Sequence, residues 1–133
     1  MKTSKLVCRG LVLATLAAST LPAYPAGGAP DDVGQRAFAA CASCHQIGPS
    51  ARADFGPQLN GVIGRQAGST PDYKYSLAMK NANFVWDERR LAAFVRHPDD
   101  VVPGTKMRFF GIGYDDKTIS ALLAYLRANP ASR

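Results

Sequence analysis

Residues 41–45 read Cys-Ala-Ser-Cys-His, which places two thiols and an imidazole next to one another. The spacing C-x-x-C-H is typical of covalent haem attachment. On one helical turn the sulfurs of Cys41 and Cys44 point to the same side, so both can bond the vinyl groups of one porphyrin. His45 follows directly and can bind the iron as an axial ligand. The motif therefore predicts one covalently bound iron porphyrin, haem c, held by these three residues.

Three other interpretations of the cysteine pair are weaker. A thioredoxin-like redox pair is expected in a βαβ context after a strand, whereas this motif follows a predicted helix. A zinc site needs two further nitrogen or sulfur ligands, and only His97 remains for that purpose. A structural disulfide would leave His45 without a role.

The second axial position on the iron has three candidate ligands besides the initiator methionine: Met79, Met107 and His97. Pro103 and Gly104 can turn the chain so that a stiff loop presents Met107. Met79 falls in a predicted helix, where a methionine more often packs in the core. His97 precedes a proline and is expected at the surface. We therefore predict Met107 as the ligand, with Met79 and His97 as alternatives.

The N-terminus has the layout of a secretory signal peptide. Three basic residues precede an uncharged apolar run over 11–21, and small residues follow. As a helix this run spans only about 16 Å, about half of the hydrocarbon thickness. We predict a signal peptide over 1–26, cleaved after Ala26 or alternatively after Ala23, and a mature periplasmic domain over 27–133. The alternative is an uncleaved N-terminus that anchors the protein in the membrane.

The overall composition indicates one globular domain: the 133 residues are 47% hydrophobic and 20% charged. Residues 1–26 contain three basic and no acidic residues, so their removal lowers the formal net charge from +6 to +3. The other basic residues are scattered, without a run or stripe. We therefore predict no binding of nucleic acid.

Hydrophobic periodicity and capping residues predict an all-α domain of four to five short helices with long loops. The predicted helices run from Asp31 or Asp32 to the cysteines, over 73–81, from Asp87 to Arg96, and from Asp115 to Asn129. The stretches 46–72 and 99–113 are predicted as irregular. Loops of that length are unusual in a compact domain unless something organises them, as a haem would.

Over nearly all of residues 31–133 the chain resembles the class I cytochromes c, specifically the mitochondrial-like bacterial soluble type. The resemblance rests on the Cys-Ala-Ser-Cys-His motif, Phe-Gly-Pro-Gln-Leu-Asn-Gly over 55–61, Gly64-Arg65, Trp86 and Pro-Gly-Thr-Lys-Met over 103–107. It implies the cytochrome c fold and a periplasmic monohaem electron carrier, not an enzyme. His45 and Met107 would ligate an iron that cycles between Fe(II) and Fe(III).

The resemblance also implies roles for residues around the haem. The carbonyl of Pro57 would accept the Nδ1–H of His45 and fix its tautomer. Arg65, Tyr75 and Trp86 would bind the haem propionates, because a buried carboxylate needs such partners.

The resemblance also implies how the helices pack, and the sequence departs from the family pattern at two positions. Gly34 and Phe38 of the first helix would pack against Leu122 and Tyr125 of the last, and Phe109 would cover the exposed side of the haem. Phe94 replaces a tyrosine that many relatives carry, and Met79 replaces a polar residue. Both changes make the pocket more apolar.

The implied partners are redox proteins: a quinol-oxidising complex, a terminal oxidase, a photosynthetic reaction centre or a periplasmic dehydrogenase. We expect a monomer that contacts membrane complexes transiently, through a face that is only moderately basic, with Lys74, Lys80, Lys106 and Lys117. A peroxidase-like enzyme and a haem-based ligand sensor are the alternatives. Both need an open or labile iron position, and Met107 argues against that.

Overall fold

The computed structural model describes residues 30–129, and within that range the fold is built from five α-helices. They are α1 (Pro30–Phe38), α2 (Leu77–Lys80), α3 (Glu88–Arg96), α4 (Pro98–Val101) and α5 (Asp116–Arg127). The described residues contain no β-sheet, only one isolated antiparallel bridge between Gln66 and Val85. The all-α prediction is confirmed. The predicted signal peptide over 1–26 lies outside the described residues.

Two helices begin where the capping residues predict. The Asp87 side chain accepts a hydrogen bond from the backbone N–H of Arg90 at 2.6 Å, and α3 follows. Asp115 Oδ1 accepts from the backbone N–H of Thr118 at 2.7 Å, and α5 follows. Each carboxylate satisfies an N–H that has no partner inside its own helix. Local chemistry therefore fixes both starts.

The other helix boundaries differ from the prediction. α1 already includes Pro30, so Asp31 and Asp32 lie inside it and the predicted cap is wrong. Proline has no N–H to satisfy and its fixed φ suits the first helical turn. The same property explains α4, an unpredicted single turn that starts at Pro98 directly after α3 ends. The helix predicted over 73–81 shortens to the single turn α2.

The first and last described helices cross at close range. A Cβ placed on Gly34 would lie 2.6 Å from Tyr125 Cβ and 2.7 Å from the carbonyl oxygen of Ala121, so only glycine fits at the crossing. The rings of Phe38 and Tyr125 lie 5.5 Å apart between centroids, and Leu122 is 1% exposed in the same core. The predicted packing of α1 on α5 is confirmed.

A second part of the core joins the long loops to α3. The Trp86 ring packs edge-on between the rings of Phe84 and Phe94, at centroid distances of 4.8 and 4.9 Å. The backbone N–H of Trp86 donates to the carbonyl of Arg65 at 2.9 Å, and that of Gly64 donates to the carbonyl of Trp86 at 2.7 Å. These bonds hold the 62–67 segment against the 84–86 segment.

Among residues 30–129, none of the helices has the length and apolarity needed to cross a membrane.

Candidate functional site

A cavity of about 470 Å³ lies between these core elements. All seven predicted site residues line it: Cys41, Cys44, His45, Arg65, Tyr75, Trp86 and Met107. They come from segments far apart in the sequence, so it is the fold that brings them together. The remaining wall is mostly aliphatic and aromatic, and the volume lies in the range of cofactor sites.

The cysteine motif continues α1 as a set of tight turns. The backbone N–H groups of Cys44 and His45 both donate to the carbonyl of Cys41, at 3.0 and 2.9 Å. This turn directs both cysteines into the cavity, where their sulfurs are not joined in a disulfide. Burial raises the pKa of the Cys41 thiol to about 11.

His45 is fixed by the segment that passes across its ring. Its Nδ1 lies 2.7 Å from the carbonyl oxygen of Pro57, which accepts the Nδ1–H as predicted. A Cβ on Gly56 would lie 2.4 Å from His45 Cε1, so glycine is required there. Burial lowers the pKa of His45. The nearby positive charge of Arg65 lowers this pKa further, whereas the hydrogen bond to Pro57 raises it. The imidazole is therefore neutral at pH 7, which is the form that binds a metal.

Met107 enters the cavity from the methionine loop, residues 102–114. The loop begins with a turn in which Thr105, 3% exposed, donates its N–H to the carbonyl of Val102 at 3.0 Å. The backbone N–H of Met107 then lies 3.3 Å from Thr105 Oγ1. Gly104 supplies the positive φ of 84° that this turn needs. The loop therefore presents Met107 in the way the Pro-Gly sequence predicts.

The two alternative ligands occupy different environments. Met79 is buried on α2 and also lines the cavity. His97 is exposed between α3 and α4 and does not line it. The structure therefore leaves two methionines facing the cavity.

Arg65 brings a positive charge to the cavity. Its guanidinium donates to the carbonyls of Gln58 at 2.9 Å and Asn60 at 3.0 Å. Within residues 30–129 it takes part in no ion pair. Burial lowers the pKa of Arg65, whereas charge interactions with Tyr75 and Asp72 raise it. A half-buried cation without a carboxylate partner beside an apolar cavity suits an anionic group on a ligand.

The other two predicted propionate-binding residues lie nearby. The hydroxyls of Tyr75 and Thr70 share a hydrogen bond, and the Trp86 side chain is 7% exposed against the cavity wall. Thr70 was not predicted, because nothing in the sequence relates it to Tyr75.

Sequence reasoning also missed one residue at the cavity rim. Tyr73 lines the cavity, packs edge-on against Tyr75 at 4.8 Å, and donates its hydroxyl to the carbonyl of Phe55 at 2.9 Å. The Tyr-Lys-Tyr pattern could have indicated it. Lys106, which was predicted as part of the basic face, also lines the cavity, and its Nζ donates to the carbonyl of Lys74 at 3.0 Å.

This set of donors fits a haem. Two thiols at the required spacing can form thioether bonds, an oriented neutral imidazole and a methionine thioether are common axial ligands, and the apolar wall suits a porphyrin. Arg65 suits a carboxylate at the polar edge of such a group. Within the described residues, no group of three or more His, Cys, Asp or Glu side chains could hold a bare metal ion. The donors that line the cavity suit a porphyrin-bound iron.

Comparison with known proteins leads to the same family. The family model described as cytochrome c matches residues 32–130. The cytochrome c2 of Rhodomicrobium vannielii is 44% identical over 113 residues, which cover 84% of this chain and 85% of that protein. The cytochrome c2 of Agrobacterium tumefaciens is 44% identical over 75% of this chain and 92% of its own length.

Solved structures agree with these sequence relatives. Cytochrome cH from Methylobacterium extorquens superposes with a TM-score of 0.68 at 37% identity, covering 74% of this chain and 98% of that one. Cytochrome c2 from Rhodospirillum centenum gives a TM-score of 0.69 at 28% identity, covering 76% and 98%. The chain therefore belongs to the cytochrome c family, and it is a haem c protein that carries electrons.

Proposed function

We propose that this chain is a periplasmic monohaem electron shuttle in which Cys41 and Cys44 attach the haem and His45 and Met107 ligate its iron. The observation that carries this proposal is the convergence of these four side chains on one apolar cavity. When bound, the haem supplies one-electron transfer between Fe(II) and Fe(III). The polypeptide holds the cofactor, tunes its potential and limits access to it.

His45 and Met107 have complementary tasks in this proposal. The Pro57 carbonyl holds His45 in the tautomer that leaves Nε2 free for the iron, and makes the ring a better donor. The soft thioether of Met107 favours the reduced iron and raises the potential. If His45 and Met107 both ligated the iron, small molecules would have no free coordination site, as expected for an electron carrier and not for an enzyme.

Arg65, Tyr75 and Trp86 would bind the propionates. Arg65 donates hydrogen bonds to the carbonyls of Gln58 and Asn60, which fix its guanidinium beside the cavity. Its positive charge would lower the cost of burying a carboxylate there. The propionate side of the haem would thus be fixed by the 58–65 segment.

Export and partners complete the proposal. Residues 1–26 would act as a cleaved signal peptide, or alternatively as a membrane anchor. Partners would be respiratory or photosynthetic redox proteins: a quinol-oxidising complex, a terminal oxidase, a reaction centre or a periplasmic dehydrogenase. Contact by a monomer would be brief, at the cavity rim where Lys106 bonds to the carbonyl of Lys74. Leu77, three residues after Lys74, is 78% exposed. A small interface of this kind favours rapid release.

The ligand assignment is tested by replacing each methionine separately in the haem-loaded protein. Met107→Ala should abolish the near-red methionine-to-iron absorption band and allow rapid binding of carbon monoxide to the reduced protein. Met79→Ala, the matched control from the same cavity, should lower stability but keep the band. The opposite result would assign Met79 as the ligand. Rapid binding of carbon monoxide by the unmodified protein at neutral pH would contradict the closed iron site.

A further inference from the structure

Tyr114 connects the end of the methionine loop to the segment that carries the cysteines. Its hydroxyl donates a hydrogen bond to the carbonyl of Ala37, 77 positions earlier in the chain, near the end of α1. Ala37 is 7% exposed and Tyr114 is partly exposed, so this bond is part-buried. One side chain thus contacts the segment on which the haem is attached.

The Tyr114 ring supports the part of the loop that follows Met107. It packs edge-on against the ring of Phe109, with centroids 5.2 Å apart and an interplanar angle of 89°. Phe109 lines the cavity two residues after Met107. Displacement of Tyr114 would therefore remove the support behind Phe109.

The rest of this half of the loop has few other restraints. Gly111 lies against the end of α3, where a Cβ would be 2.9 Å from both Arg96 Cα and the Val95 carbonyl oxygen. Phe110 and Ile112 on either side are 68% and 88% exposed. In the part of the chain that the structure describes, the Tyr114 hydroxyl makes the one side-chain hydrogen bond from residues 109–114. It therefore carries a large share of what holds this segment in place.

We propose that Tyr114 is a positioning residue that holds the methionine loop closed over the haem, so that the Met107 thioether stays on the iron. This inference rests on the proposed ligation by Met107. Loss of one intramolecular hydrogen bond typically changes an equilibrium by about two- to tenfold. Removing the hydroxyl should therefore raise the population of the open loop by that factor.

The test uses the oxidised, haem-loaded protein and the variant Tyr114→Phe, which keeps the ring on Phe109 and loses only the hydroxyl. Imidazole is the probe, and its binding is followed by loss of the near-red band. We expect the affinity for imidazole and the rate of binding to rise about two- to tenfold. Amide hydrogen exchange should also quicken at Tyr114, whose N–H donates to the carbonyl of Gly111 at 2.9 Å.

Asp87→Ala is the matched control, because it weakens the cap of α3 and does not touch the methionine loop. It should lower the denaturation midpoint and leave imidazole binding unchanged. Unchanged imidazole binding in Tyr114→Phe, or an equal increase in Asp87→Ala, would overturn the role of Tyr114 while leaving the ligation intact. Absence of the band in the unmodified protein, or its survival in Met107→Ala, would overturn both proposals.

Discussion

The imidazole of His45 is held by the backbone of the 56–57 segment, with Nδ1 2.7 Å from the carbonyl oxygen of Pro57. The backbone N–H of Gly56 in turn donates to the carbonyl of Cys44 at 2.8 Å. Two short contacts therefore bind the loop to the motif on both sides of the ring. The orientation of the ring is set by the polypeptide itself, which reduces what a metal must organise on binding.

Gly56→Ala tests this arrangement. The new Cβ would lie 2.4 to 2.9 Å from three atoms of the His45 ring, so the ring or the loop must move. We expect a loss of about 1–3 kcal/mol in the free energy of unfolding, together with a changed axial-ligand spectrum. Denaturant titration measures the loss of stability, and electron paramagnetic resonance of the oxidised protein measures the change in the spectrum.

Gly48→Ala is the control for glycine replacement itself, because Gly48 lies outside the cavity lining and outside the methionine loop. Its φ is 105°, so alanine is strained there, but a Cβ would meet nothing within 4 Å. It should cost about 1 kcal/mol and leave the spectrum unchanged. A spectrum equally altered in both variants would show that the contact with His45 is not the cause.

Arg65→Met should lower the reduction potential. Loss of a half-buried positive charge beside the cavity removes an interaction that favours the reduced, less positive iron, and the shift should be on the order of tens of millivolts. Arg52→Met removes the same charge from an exposed side chain and should change the potential far less, because solvent screens it. Potentiometric titration of both variants gives the comparison, and equal shifts would argue against placing Arg65 next to the haem.

Gly34→Ala should separate the two terminal helices. Its Cβ would approach Tyr125 Cβ to 2.6 Å and the Ala121 carbonyl oxygen to 2.7 Å, and a backbone atom cannot move aside as a flexible side chain would. We expect a loss of about 1–3 kcal/mol in the free energy of unfolding. Gln35→Ala changes the next, exposed residue of α1 and should leave the denaturation midpoint nearly unchanged. Comparable midpoints for the two variants would contradict the close crossing.

The cap at Asp115 should make α5 sensitive to acid. Hydrogen bonding to Thr118 lowers the pKa of the carboxyl below its usual 3.8. A group whose pKa is lowered by folding stabilises the protein above its unfolded pKa, and this contribution is lost as the pH falls through the folded pKa. Asp115→Asn keeps an acceptor that does not titrate. Thermal unfolding from pH 6 to pH 3 should show the advantage of aspartate over asparagine shrinking below about pH 4, and a constant difference would contradict this account.

Features set by neighbouring residues could be predicted from the sequence. The caps at Asp87 and Asp115 involve bonds across three residues, and the cysteine motif acts within one turn. The resemblance to cytochromes c supplied the longer-range expectations, including the bond from His45 to Pro57.

Features set by the tertiary fold could not be predicted. The bond from Tyr114 to Ala37 joins residues 77 positions apart, and no periodicity or spacing indicates such a pair. The hydrogen bond between the Thr70 and Tyr75 hydroxyls likewise depends on the course of the loop that contains them. The start of α1 and the single turn α4 depend on prolines, which can either end a helix or begin one.

The wall of the cavity has a consequence for the order of assembly. It is built from residues as distant as Phe38 and Leu126 and includes side chains from α1, α2, α3 and α5. A porphyrin in this cavity would bury apolar surface from all four helices at once, so its binding and the packing of these helices would be coupled. We expect the newly made chain to meet its porphyrin while still extended, and to gain its tertiary structure in the same event.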